Sequence, residues 1–123
     1  MTEQKILKMN SYFEEKIALC ARRNKELLAG ERKDEADFEK IRANVYDIFR
    51  TVLSAAVKNG GGDADAVRIF FDRKIGQIPA GWAAAYSKAK EHDDAIQMCI
   101  EQIKLDTVDE IRQCFAKIWE GAE

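Results

Sequence analysis

Very little in this chain interrupts a helix. Among its 123 residues there is a single proline, and three of the seven glycines stand together at positions 60–62. The alternation of Val, Thr and aromatic residues that marks strands is nowhere sustained, which argues against a β-rich fold. Histidine occurs once and cysteine three times, with no CxxC and no Cys/His pairing. Neither a zinc site nor a disulfide framework is therefore indicated, and a reducing compartment is the natural setting. No segment approaches the ~20 apolar residues that a bilayer span needs, and the opening Met-Thr-Glu-Gln-Lys has no basic stretch followed by an apolar region. A cytoplasmic protein with no membrane partner is expected.

What is present favours helices. Leu, Ile, Ala, Glu, Lys, Gln and Arg, all good helix formers, make up much of a composition that is 46% apolar and 34% charged. A second core would leave each half too little apolar surface to bury, so one domain over 1–123 is expected. The formal charge of -2 hides an asymmetry: residues 1–33 carry eight Lys/Arg against five Asp/Glu, and residues 91–123 carry three against nine. In a bundle two such segments can lie side by side and offset one another.

Apolar periodicity gives the layout. Ile6, Met9, Phe13, Ile17, Cys20, Asn24 and Leu27 recur every three or four residues, predicting a helix over about 3–29 with Gly30 as its terminator. Asp34 is placed to cap a second helix over about 35–58. There Phe38, Ile41, Val45, Ile48, Val52 and Ala55 form the main stripe, widened by Tyr46, Phe49, Leu53 and Ala56. With Ile48 and Val52 read as core, aspartate at either should unfold the domain. The glycine run ends this helix, and Asp63 or Asp65 can cap a short third one over about 64–76, stopped by Gly76 and Pro79.

Pro79 then fits the first position of a helix over about 80–104. Thr107 and Glu110 have the spacing of a capping box, which favours a break near 105–107 and a last helix over about 107–120. Ile103, Thr107, Ile111, Cys114 and Ile118 also suit an unbroken helix, with the break moved to about 90–92. The fold class that follows is all-α: an antiparallel up-and-down bundle of four to five helices.

Few residues carry recognisable chemistry. His92 stands among Glu91, Asp93 and Asp94, but Ala89 occupies the position where a Glu-x-x-His metal motif needs its carboxylate. It reads as a structural or solvent-facing residue. The Gly60–Asp63 loop precedes a helix, yet it follows a helix rather than a strand, lacks a Lys-Ser/Thr pair, and places an aspartate where phosphate would sit. Cys20, Cys99 and Cys114 lie on or beside apolar stripes, where cysteine acts as a small hydrophobe. No GxSxG serine is present, and no cofactor or metal is implied.

Two surfaces remain as candidates. Trp82, Tyr86 and Trp119 are the large aromatic residues that a protein partner could use, if they do more than close the ends of the core. Arg22, Arg23, Lys25, Arg32 and Lys33 form the basic cluster able to meet an anionic surface or nucleic acid. Glu26 and Glu31 dilute it and no aromatic residues interleave, which disfavours nucleic acid. The leading expectation is a non-enzymatic helical module that binds another protein or a second copy of itself. The alternatives are a nucleic-acid-binding regulator using the basic cluster, and a small-ligand carrier or enzyme with a pocket between helices.

Overall fold

The computed structural model describes residues 2–121; positions 1, 122 and 123 of the expected single domain lie outside the described residues. Within that range four α-helices follow one another: α1 (Thr2–Ala29), α2 (Lys33–Gly60), α3 (Ala64–Glu91) and α4 (Ala95–Trp119). They alternate in direction, so α2 and α4 run parallel, and α2 packs against all three other helices. The arrangement is a flattened bundle in which α2 and α4 meet across the short diagonal while α1 and α3 occupy the far corners.

Each connection is built from local chemistry. At the end of α1 the N–H of Arg32 donates to Leu27 O at 2.8 Å and that of Glu31 to Leu28 O at 3.1 Å. This is a Schellman closure whose left-handed residue is Glu31, at φ 61°, rather than Gly30. The expected terminator is thus one residue early. Asp34 does not cap α2, which already starts at Lys33 behind Arg32, with no side-chain cap. The same closure recurs after α3, where Asp93 takes φ 53° and Asp94 N donates to Ala89 O at 2.9 Å. The Asp94 carboxylate then accepts from Gln97 N at 3.1 Å and so starts α4.

The glycine run serves two needs. Gly61 and Gly62 adopt left-handed φ values of 55° and 90°, and a Cβ at Gly60 would stand 2.8 Å from Val67 Cγ2. Only glycine lets α2 and α3 approach so closely there. Asp63 caps α3 by accepting from Asp65 N at 3.0 Å. That aspartate fills the helix N-terminus where an anion would otherwise sit.

Two expected breaks are not found. The helix that begins at Ala64 runs through Gly76 and Pro79 to Glu91, and the chain is unbroken from Ala95 to Trp119. A proline inside a helix provides no N–H, so the carbonyl four residues earlier loses its donor. Here that carbonyl is on Ile75, and the guanidinium of Arg112 from α4 donates to it at 3.1 Å. Pro79 itself is buried among the helices. Thr107 is no cap either: its hydroxyl donates back to Ile103 O at 2.7 Å within α4. The break falls at residues 92–94, adjoining the 90–92 alternative, and the five segments reduce to four.

The core is aromatic in the middle. Phe71 stacks on Phe115 with ring centroids 4.1 Å apart, Phe115 stacks on Trp119 at 4.5 Å, and Phe49 meets Phe71 edge-on at 6.2 Å. Met9 and Phe13 from α1 and Val45, Leu53, Val67 and Ile111 are fully buried around them. On α2 the buried line is Tyr46, Phe49, Leu53 and Ala56 together with Val45, while Ile48 is 38% exposed. The residues read as widening the stripe therefore form its centre, because α2 must face three neighbours and turns toward the aromatic stack. Val52 is half-buried at the edge of that core.

Ile48→Asp is accordingly expected to change stability by less than about 1 kcal/mol in chemical denaturation, whereas Leu53→Asp leaves a charge in a sealed core and should abolish cooperative unfolding. Arg112→Ala should cost about 1–3 kcal/mol by stranding the Ile75 carbonyl. In a Pro79→Ala background, where a backbone N–H is restored to that carbonyl, the cost of the arginine change should shrink. A double-mutant cycle measures the coupling.

Candidate functional site

An apolar groove lies at the end of the bundle remote from the glycine run. Phe38 and Ile41 of α2 face Ala95, Ile96, Cys99 and Ile100 of α4 across a groove of about 340 Å³. Asp34 and Asp37 form its acidic rim on α2. Ile96 is 73% exposed, the highest value among the exposed large aliphatic residues. Leucine or isoleucine on a surface is ordinary singly, but an exposed isoleucine continuous with an apolar channel between two helices is a docking geometry. The groove stays open because the core-filling aromatic residues of α2 and α4, Phe49, Phe115 and Trp119, all lie toward the middle or the glycine end.

Three carboxylates lie at or between the helices of the bundle, Glu110, Glu39 and Glu101. Glu110 of α4 accepts from Tyr46 Oη at 2.8 Å and Tyr12 Oη at 3.0 Å, and Lys16 Nζ lies 3.4 Å from it. Burial first, and then the Glu110 carboxylate, raise the Tyr12 phenol well above its ordinary value of 10. Burial and the hydrogen bond to Glu110 do the same for Tyr46. Further along the α1–α2 seam Arg42 holds Glu39 at 2.6 Å. Burial and the adjoining Glu39 push the Cys20 thiol up to about 11, so it stays protonated and is a poor nucleophile. In the α3–α4 seam the buried Glu101 accepts from Gln97 Nε2 at 2.6 Å and pairs with Lys104 at 3.4 Å. Of these carboxylates Glu110 joins helices, while Glu39 and Glu101 are held by side chains of their own helices and each keeps one buried oxygen, Oε1, without a hydrogen bond. Among the described residues no group of three or more His, Cys, Asp or Glu is placed to hold a metal ion.

The aromatic candidates do not form one patch. Trp119 is only 5% exposed, and its indole N–H donates to Ala64 O at 2.9 Å, tying the end of α4 to the start of α3. Lys5 completes this corner by donating to Trp119 O at 2.6 Å. Trp82 lies further along α3, half-buried against the edge of Phe49 at 6.3 Å and beneath Lys104. Tyr86, one turn on, is half-buried too.

The basic candidates Arg22, Arg23, Lys25, Arg32 and Lys33 are all exposed, around the α1–α2 turn. Arg32 is engaged by Glu35 through two hydrogen bonds, one of 2.6 Å. Lys5 and Lys16 instead turn the basic N-terminal segment toward acidic α4. His92 is exposed at the end of α3, Cys99 is exposed in the groove and Cys114 is half-buried, its thiol raised by burial.

Among the described residues no helix is long and apolar enough to cross a membrane. No protein family model matches the chain, and neither a curated protein nor a solved structure matches it. Of the groove residues, Phe38, Ile41 and Cys99 stood on or beside apolar stripes in the sequence, whereas Asp37, Ala95 and Ile100 had not been singled out. Their one distinguishing signal was surplus: α2 and α4 carry more apolar positions than a core with three neighbours can cover.

The tyrosine pair gives this region a pH signature. Each phenol is raised in the folded chain, so its contribution to stability is complete below the unfolded value near 10 and is lost as pH rises from there through the folded values. Absorbance at 295 nm should show Tyr12 and Tyr46 failing to ionise near pH 10 and then titrating together with unfolding. Ordinary titration of Tyr12 and Tyr46, unlinked to unfolding, would contradict the Glu110 network.

Proposed function

We propose that this chain is a non-enzymatic helical interaction module whose docking surface is the groove between the first turns of α2 and α4. The observation that carries the reading is the exposure of Ile96 at 73% above an apolar floor that includes Phe38, Ile41 and Ile100. A side chain of that size left in water forgoes roughly 1.5–3 kcal/mol of burial, which a partner recovers by covering it. The engagement of Glu110 supports the same reading, since Tyr12, Tyr46 and Lys16 commit that carboxylate to holding helices together. The basic cluster supports a nucleic-acid role less well, with Arg32 neutralised by Glu35 and no aromatic surface beside it.

The test uses the full chain. A photo-crosslinker on Cys99 should join it to a binding partner in extract from the native cell, and Ile96→Glu should abolish that product while leaving the melting temperature within a few degrees of the parent. A partner that binds the Ile96→Glu protein undiminished would place the docking surface elsewhere and overturn the reading.

A further inference from the structure

Two features of the groove specify what fits it. The first is shape. Its α2 wall has the spacing i, i+3, i+4, i+7 through Asp34, Asp37, Phe38 and Ile41, and its α4 wall repeats every four residues through Ile96 and Ile100. Two parallel helices exposing such ridges leave a furrow into which the ridge of a third helix packs.

The second feature is charge. Along α2 the acids elsewhere are matched by a cation three residues away: Glu35 by Arg32, Glu39 by Arg42 and Asp47 by Arg50. Among the described residues Asp34 and Asp37 make no ion pair, although Lys33 and Lys40 are close in sequence. These are the two acids of α2 that rim the groove.

We infer that the groove receives one amphipathic helix of another protein, with large aliphatic residues every three or four positions and Lys or Arg along the flank that meets Asp34 and Asp37. This rests on the interaction-module reading above. A second copy of the chain fits less well, because two-fold pairing of this face would set the same acidic rim, Asp34 and Asp37, against itself. A bare anionic ligand would meet the same carboxylates.

The probe is a pair of acetylated, amidated synthetic helices with leucine at i, i+3, i+4 and i+7. One carries Lys and the other Glu along one flank, and each is titrated into the full-length protein by fluorescence anisotropy at low salt. The Lys helix is expected to bind at least tenfold more tightly than the Glu helix. Asp34→Lys with Asp37→Lys should weaken it at least tenfold, Ile96→Glu should abolish it, and Glu120→Lys on the far end should leave it unchanged.

Equal binding of both helices, lost on Ile96→Glu, would overturn the basic partner while sparing the groove. Binding indifferent to Ile96→Glu would overturn the groove as well. Equal weakening by Glu120→Lys would reduce the effect to net charge and sink the inference. Sedimentation of the chain alone completes the test: a dimer dispersed by Ile96→Glu would assign the groove to a second copy instead, and a monomer leaves it open to a foreign helix.

Discussion

The stack of Phe71, Phe115 and Trp119 is the contact on which the bundle depends. Three ring systems within 4.1 and 4.5 Å of their neighbours fix the distance and register between α3 and α4. Phe49, edge-on to Phe71, then fixes α2 against α3. Aromatic side chains combine large buried area with preferred geometry, so such a stack tolerates far less sliding than aliphatic packing. The Trp119 indole bond to Ala64 O and the Lys5 bond to Trp119 O lie at its end and close the corner where α1 begins.

The polar network around Glu110 does for α1 what the aromatic stack does for α3. Tyr12 and Tyr46 come from two helices and converge on a carboxylate of a third, with Lys16 beside it. Phenols donate well to a carboxylate, and each partly buried donor loses more than it gains if the acceptor shifts away. The basic N-terminal third of the chain and the acidic C-terminal third thereby meet inside the fold through named pairs. The charge asymmetry evident along the sequence is in part internal complementarity.

Much of this was legible locally. α1, the turn at the glycine run and the all-helical class follow from spacing and from the scarcity of helix breakers. The missed elements share a cause, which is that the deciding atom lies far away in sequence. Pro79 reads as a start because the donor that lets a helix continue through it, Arg112, is 37 residues from Ile75. Thr107 and Glu110 have the spacing of a cap, yet Glu110 is drawn to Tyr46 from 64 residues away. On α2 two overlapping apolar lines compete, and only the position of Phe71 determines that Phe49 rather than Ile48 faces inward. The groove was hidden for the opposite reason: Phe38, Ile41 and Ile96 are the same residue types as the core, and composition does not reveal which apolar face goes uncovered.

The Arg112 contact has a bearing on which parts of the chain depend on one another. Without α4, the carbonyl of Ile75 has no donor within its own helix, and α3 is weakest at its midpoint. The half of α3 that follows, from Pro79 to Glu91, is joined to the first half across a position where α4 supplies the missing donor. The continuity of α3 thus belongs to the α3–α4 pair and not to α3 alone.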